Sequence, residues 1–414
     1  MKKKSKKIIQ AKSKPIKKIK SLDFKKFSTK VFLSAPHMSG HEMKYIKKAF
    51  QENWITPQGP NVTDFENEIC QFVLASKKPQ TDLFAVAMSS GTAAIHIALR
   101  LLGIKASDEV FCSSATFIAS AYPILYEKAV PVFIDSEPTT WNMCPASLQK
   151  AFEKKSRENK LPKAVITVDL FGMSSRYDEI TEICNRYKVP IIQDAAEALG
   201  SKYNGQACGL QGEYGVFSFN GNKIITTSSG GALLTRSKVM ADKALYYVTQ
   251  ARDKALYYLH SDVGYNYRLS NISAGIGLGQ MHVLKSRVNR RREVFEFYRK
   301  NLSGHGLEFL PEPKGFFSNR WLSTALLSQD VTANTGLTAM GLIEKLHEYN
   351  IEARPIWKPM HTQPIFAKNE FFSVHPEKVS EIIFDRGLCL PSCTDMTQTT
   401  QAKVCEIVKT IISS

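Results

Sequence analysis

From residue 83 to residue 194, short apolar runs alternate with stretches of helical spacing, and this rhythm limits what the chain can fold into. LFAVAM is followed by TAAIHIALRLLG, and EVFCS by ASAYPILYE. VPVFID and AVITVD precede YDEITEICNRYK, which runs into VPIIQD. Strands separated by helices do not pair as hairpins. They predict an α/β fold with a mainly parallel sheet covered on both faces. Ligands of such sheets gather at the carboxyl ends of strands, so the residues just after each run are the ones to inspect for chemistry. Beyond Asp194, YGVFSFN and GGALLTRS read as further strands joined by GNKIITTSSG. GLGQMHVLKSRVNRRREVFEFYRKNL reads as one long amphipathic helix, with later loops near 311–315 and 355–364. The expected division is a leader over 1–30, a large domain over 31–274 and a smaller α/β domain over 275–414.

Charge is unevenly spread. The 414 residues carry a net +17, but residues 1–30 hold thirteen lysines and a single acid, Asp23. The basic character therefore belongs to a leader more than to the folded body. MKKKSKKIIQAKSKPIKKIK has no sustained apolar stretch, which excludes a secretory signal peptide. Its mutually repelling lysines predict a disordered arm. The same lysines give it weak attraction to anionic membrane or nucleic acid. No run reaches the ~18 apolar residues of a membrane-spanning helix. Eight cysteines are scattered without a CxxC pair, which predicts reduced thiols in a cytoplasmic protein and no metal site.

Three local features carry chemistry. SSGT lies between a strand and a helix. Its helix-start N–H groups, with the hydroxyls of Ser90 and Thr92, suit a phosphate, and Gly91 permits close approach; a merely capped helix reads the same way. Asp194 ends the run VPIIQD. A carboxylate there can hold a protonated ring nitrogen, or simply cap the AAEAL segment. Glu197, one helical turn on, faces either the same cavity or solvent. Lys223 sits in FSFNGNKIITTSSGG, a segment otherwise poor in charge. An amine in a partly dry pocket can lose its proton and condense with an aldehyde. Together these are the parts of a pyridoxal phosphate site. Phe117, in SATF, is placed to stack on the ring face, and Ser218 to add a phosphate hydrogen bond.

Six ordered motifs carry a resemblance: TPQGPNVTDFE, SSGTAAIHIAL, SATFIASAYPI, QDAAEALGS, FSFNGNKIITTSSGGAL and GYNYRLSNISAGIGLGQ. From about residue 31 onward the chain resembles the DegT/StrS nucleotide-sugar aminotransferases. These are fold type I pyridoxal phosphate enzymes built like aspartate aminotransferase. FNGNKIITTSSGG looks most like enzymes acting on UDP-4-keto-6-deoxy-N-acetylhexosamines, including the bacillosamine-pathway transaminase. The resemblance implies Lys223 as the cofactor-binding lysine and Asp194 as the partner of the ring nitrogen. It implies Ser90, Gly91, Thr92 and Ser218 at the phosphate, Phe117 on the ring and Glu197 near the phenolic oxygen. Asn266, in GYNYR, matches a residue sent across a dimer interface, which implies a homodimer with shared active sites. Thr56, Asp169, Arg268 and His361 fall on the substrate side. L-Glutamate is the implied amino donor and a nucleotide-linked keto sugar the acceptor. Asp169 departs from the His of many relatives, Glu197 from their Gln or His, and the lysine leader has no counterpart. Two other readings stand beside this one: a pyridoxal phosphate sugar dehydratase, in which deoxygenating relatives replace the lysine with His, and a non-catalytic regulatory protein on the same fold.

Overall fold

The apolar runs of the alternating region all become strands: β1 (Phe84–Met88), β2 (Glu109–Ser113), β3 (Val130–Ile134), β4 (Ala164–Val168) and β5 (Ile191–Asp194). β6 (Tyr214–Ser218) and β7 (Gly231–Thr235) follow, as the sequence beyond Asp194 predicts. The structure is a computed structural model that describes residues 25–74 and 83–414. The expected disorder of the leader, and its contact with membrane or nucleic acid, fall mainly on residues 1–24, outside the described residues.

The main sheet has eight strands. Five further strands lie later in the chain: β8 (Leu307–Glu308), β9 (Ser323–Leu327), β10 (Arg354–Pro355), β11 (Phe371–Phe372) and β12 (Gly387–Leu390). The main sheet runs in the order β1-β7-β6-β5-β4-β2-β3-β11. From β6 to β11 all pairings are parallel, while β7 lies antiparallel to both β6 and β1. Central β4 is buried at all five residues, as a strand covered on both faces must be. Helix Gly91–Leu101 consists largely of Ala, Ile and Leu, and nine of its eleven residues are buried. Each fully buried Ile or Leu contributes roughly 1.5–3 kcal/mol, which fixes this helix, and with it the SSGT turn, against the sheet.

The second sheet, in the order β8-β9-β12-β10, carries a separate apolar core. The boundary between the two units differs from the expected one at residue 275. That position falls inside helix Asn271–Met281, which packs on helices Glu42–Gln51 and Pro60–Leu74. Glycines allow the approach: a Cβ on Gly279 would lie 2.6 Å from the Glu42 backbone, and one on Gly277 2.6 Å from the Phe65 ring. The expected single long helix is also two, because the backbone leaves helical geometry at Val283 before Leu284–Leu302 begins. That second helix bridges both cores. Leu284 and Val288 join the large unit, whereas Val294, Tyr298 and Leu302 join the smaller one.

Both ends of the chain also cross the expected boundary. β11, from the C-terminal third, adds the edge strand beside β3. Phe27 and Val31 pack on the smaller unit's core, and Phe27 donates its N–H to Tyr349 O at 3.2 Å. The leader, read through residue 30 from its charge, therefore gives way to docked chain by Phe27, because an apolar residue there finds a core. No helix among the described residues is long and apolar enough to cross a membrane.

Candidate active site

A cavity of about 290 Å³ opens where β1, β5 and β6 end, at the carboxyl edge that the parallel topology singles out. Ser90, Gly91 and Thr92 enter it from the helix that follows β1, Phe117 from the segment after β2, and Asp194 from the end of β5. Ser218 ends β6, and the loop behind it supplies Asn222 and Lys223.

One end of the cavity is built for an anion. Ser90 caps helix Gly91–Leu101: its Oγ accepts from Ala93 N–H at 3.0 Å. The N–H groups of Gly91 and Thr92 have no intrahelical acceptor, and both residues line the cavity, so the helix terminus presents donors and a partial positive charge to it. The turn tolerates no bulk. A Cβ on Gly231 would stand 2.4 Å from Gly91 N, and one on Gly91 would stand 3.1 Å from Ser218 Cβ. This glycine contact draws the Ser218 hydroxyl up to the helix start. Backbone donors and hydroxyls converging on a helix terminus fit a phosphate.

At the other end, Asp194 is 5% exposed. Its Oδ2 accepts from Ser120 Oγ at 2.6 Å and its Oδ1 from Ala196 N–H at 3.1 Å. With its own proton on Asp194, Ser120 Oγ accepts from Thr116 Oγ1 at 2.6 Å. Burial raises the Asp194 carboxyl above its ordinary value, while these donors and the Lys223 charge pull it back. Ser120→Ala removes a bond to a charged acceptor, worth about 1.5–3 kcal/mol. Loss of a donor that lowers the pKa moves it further up, so the acid limb of the activity profile should shift to higher pH. We expect kcat to fall about tenfold with cofactor still bound, a size set by that hydrogen bond. A pH–rate series on the variant, with cofactor absorbance as control, checks both.

Lys223 stands between these ends. Its Nζ is 3.4 Å from Glu197 Oε1 and 4.0 Å from the centre of the Trp321 ring. Glu197 is itself buried, with Oε2 accepting from Phe171 N–H at 2.7 Å and Trp357 Nε1 3.4 Å from Oε1. Burial raises its carboxyl, and the neighbouring Lys223 charge opposes that rise. Of the two readings left open for Glu197, solvent or cavity, the structure adopts the cavity. The carbonyl of Asn222, next to the lysine, accepts from Trp321 Nε1 at 2.7 Å and from Ser34 Oγ at 2.6 Å. Phe117 remains 52% exposed at the mouth, edge-on to Trp357. A helix-start anion cradle, a buried carboxylate and a lone amine, all in one cavity, are the donor set that pyridoxal phosphate requires.

Comparison with known proteins agrees with this geometry. Residues 36–409 match the DegT/DnrJ/EryC1/StrS aminotransferase family. The chain belongs to this family. EpsN of Bacillus subtilis (strain 168) is 51% identical over 383 residues, covering 92% of this chain and 95% of that protein. A GDP-perosamine synthase of Escherichia coli O157:H7 is 32% identical, covering 91% and 97% of the two chains. The crystal structure of a DegT DnrJ EryC1 StrS aminotransferase from Brucella abortus superposes with a TM-score of 0.81 at 26% identity, covering 91% of this chain and 96% of that one. The protein is a pyridoxal phosphate-dependent sugar aminotransferase on the fold type I, aspartate aminotransferase-like architecture.

Within this DegT-family chain, five residues expected at the site lie away from the cavity. Asp169 is fully buried and saturated by its own neighbours: it accepts from Gln193 Nε2 at 2.7 Å, Tyr177 OH at 2.8 Å and Ser175 N–H at 3.0 Å. Burial lifts its carboxyl to about 6 against those bonds. It serves the packing beneath the sheet rather than a sugar. His361 has both ring nitrogens engaged, Nδ1 by Ser114 Oγ at 2.7 Å and Nε2 by Glu381 at 2.9 Å, and it stacks on Phe371. Arg268 is taken by Glu66 in a two-pronged ion pair and by Ala87 O at 3.0 Å. A guanidinium so occupied leaves no fork for a substrate. Thr56 closes its own turn by accepting from Gln58 N–H at 3.0 Å. Asn266 is exposed, outside its own protomer's cavity.

Sequence reasoning missed Ser120, Trp321 and Trp357. Ser120 lies within the quoted SATFIASAYPI, three residues past Phe117, but nothing local ties its hydroxyl to a carboxylate 74 positions away. The tryptophans arrive from the smaller unit, and the only signal was rarity, since the chain has four.

Proposed function

We propose that this enzyme moves the amino group of L-glutamate onto the keto carbon of a nucleotide-linked 4-keto-6-deoxy sugar, of the UDP-N-acetylhexosamine kind. The product would be a 4-amino sugar for surface glycan or glycoprotein biosynthesis. The observation that carries the reading is the half-buried Lys223 amine beside the buried Glu197, in a cavity with an anion cradle at one end and Asp194 at the other. The wording FNGNKIITTSSGG supports the UDP-hexosamine class. A relative named GDP-perosamine synthase supports a nucleotide-linked sugar and brings GDP forms into the test.

When bound, pyridoxal phosphate supplies an aldehyde that carries the amino group and a ring that accepts electrons. The chain's own residues do the rest. The helix start at Gly91–Thr92 and the Ser218 hydroxyl hold the phosphate. Asp194 keeps the ring nitrogen protonated, and Ser120 keeps Asp194 ionised. The Lys223 amine would carry a proton to and from the reacting carbon, a positioned transfer worth about 10²–10⁴-fold. Glu197 receives the ammonium charge of Lys223 when that proton is held. Phe117 and Trp357 flank the mouth and exclude water from one side of the reacting centre.

The same reading makes the active unit a homodimer, in which the exposed Asn266 reaches the partner's phosphate. Light scattering at twice the 46.4 kDa chain mass tests the assembly. For the reaction, a panel of UDP- and GDP-linked 4-keto and 3-keto sugars is incubated with ¹⁵N-glutamate and the products are read by NMR. Label on C4 of a UDP-N-acetylhexosamine is the expected outcome. Label only on a GDP sugar replaces the acceptor, and no label on any nucleotide sugar sinks the proposal.

A further inference from the structure

Behind the Lys223 loop lies a second, much smaller cavity that the aminotransferase chemistry does not use. It measures about 10 Å³ and is lined by His37, Lys223, Thr226, Gln280, Arg287 and Arg291 among others. Arg291, on helix Leu284–Leu302, is 2% exposed and lines this cavity. Of its donors only Nη2 is bonded, to Ser34 Oγ at 2.8 Å, while Nε and Nη1 are buried without a partner among the described residues.

Arg287, one turn earlier, shares the cavity. Its Nη1 donates to His37 Nδ1 and, at 3.3 Å, to Thr394 Oγ1. Its Nη2 donates to the carbonyls of His37 at 3.0 Å and Met38 at 3.3 Å. Its Nε is buried without a partner. Every acceptor that either arginine reaches is neutral, His37 included, since burial and the Arg287 charge lower its pKa. No carboxylate lies within 4.0 Å of either guanidinium among the described residues. Asp395 acts on both guanidinium groups only at longer range, as Glu42 does on Arg287, and Glu42 is already held by Ser39, Gly40 and Gln280. Buried charges in proteins are paired, and an unpaired guanidinium carries a large desolvation cost. Two of them facing one cavity repel each other besides.

We infer that this cavity binds a single monatomic anion, chloride under ordinary conditions, held between Arg291 and Arg287. The space is too small for more than one monatomic occupant, which excludes carboxylates, phosphate and sulfate. A water would leave both guanidinium groups without a counter-ion within 4.0 Å. A halide answers the donors and the charge together. The site also reaches the catalytic loop. Arg291 donates to Ser34 Oγ, and Ser34 donates to the carbonyl of Asn222, the residue before Lys223. An anion that fixes Arg291 therefore braces the lysine's backbone from behind.

The test uses the full chain purified in gluconate salts. Crystals soaked in sodium bromide should show an anomalous peak between Arg291 and Arg287, with no such peak in Arg291→Met. In solution at constant ionic strength, replacing gluconate with chloride should raise Tm saturably, by about 1–2 °C at tenfold excess over Kd for a chain of this size. Arg291→Met should lose that dependence. A cavity holding only water in bromide-soaked wild-type crystals overturns the inference, whether or not the variant folds. So does a bromide peak that persists in the variant. Neither outcome bears on the sugar substrate.

Discussion

Lys223→Ala is expected to abolish amino transfer, lowering kcat by more than about 10³-fold, because one side chain supplies both the covalent anchor and the proton carrier. No second amine lines the cavity among the described residues, so nothing nearby substitutes. The variant should also lose the visible absorbance of lysine-bound cofactor and its borohydride-stable attachment. The anion cradle and Asp194 are untouched, so binding of pyridoxamine phosphate should persist. The two buried carboxylates should respond as well. Lys223 lowers the pKa of both Asp194 and Glu197, so its removal moves both further upward. Lys223→Arg separates charge from chemistry. A guanidinium restores the positive charge but forms no imine, and should stay inactive. Turnover within tenfold of wild type in Lys223→Ala rejects the assignment.

What the sequence could show follows from the range of the forces involved. Strand and helix placement between residues 83 and 194 depends on local periodicity, and each of the five runs became a strand within a residue or two. Ser90, Gly91, Asp194 and Ser218 could be picked out because each sits at the end of a regular element, where ligands of a parallel sheet collect, and Lys223 because it is the one charge in the loop that follows such an end. Failures came where a polar side chain spends its capacity elsewhere in the fold. Arg268 and His361 stand in suggestive motifs, yet Glu66 and Glu381 claim them. Asp169 ends an apolar run just as Asp194 does, but Gln193, Tyr177 and Ser175 enclose it. One-dimensional text cannot distinguish a carboxylate aimed into a cavity from one sealed below it. The expected boundary at 275 failed for a related reason. GLGQMHVLKSRVNRRREVFEFYRKNL reads as the start of one long helix, whereas its first glycines belong to a separate helix and let it lie against Glu42 and Phe65. Ser120, Trp321 and Trp357 reach the site only through tertiary packing.

Asp194→Asn should separate chemistry from folding most cleanly. The carboxylate is needed as an anion, because its charge holds a proton on the ring nitrogen and so keeps the ring able to accept electrons. An amide of the same shape gives no charge, and we expect kcat to fall about 10²–10³-fold, the scale seen when one preorganised electrostatic partner is removed. The fold should accommodate the change. The amide oxygen can keep the Ala196 N–H, and the amide nitrogen can donate to Ser120 Oγ, whose own proton then turns to Thr116 Oγ1. Stability should move opposite to activity. Burial raises the Asp194 pKa, so in the apoprotein the native state binds this proton more tightly than the unfolded chain does. That contribution is complete below the unfolded carboxylate range and is lost as pH rises through the folded value. At pH 8 the wild type therefore carries a desolvated anion that the amide variant lacks. Apo Asp194→Asn should melt at or above the wild-type temperature there, and the advantage should vanish in acid. Its Lys223 absorbance should remain, and an acid limb set by this carboxyl should disappear from its pH–rate profile. Near-normal turnover in the variant would place the partner of the ring nitrogen elsewhere. A lowered melting temperature at pH 8 would instead show that the Ser120–Thr116 pair cannot reverse its protons.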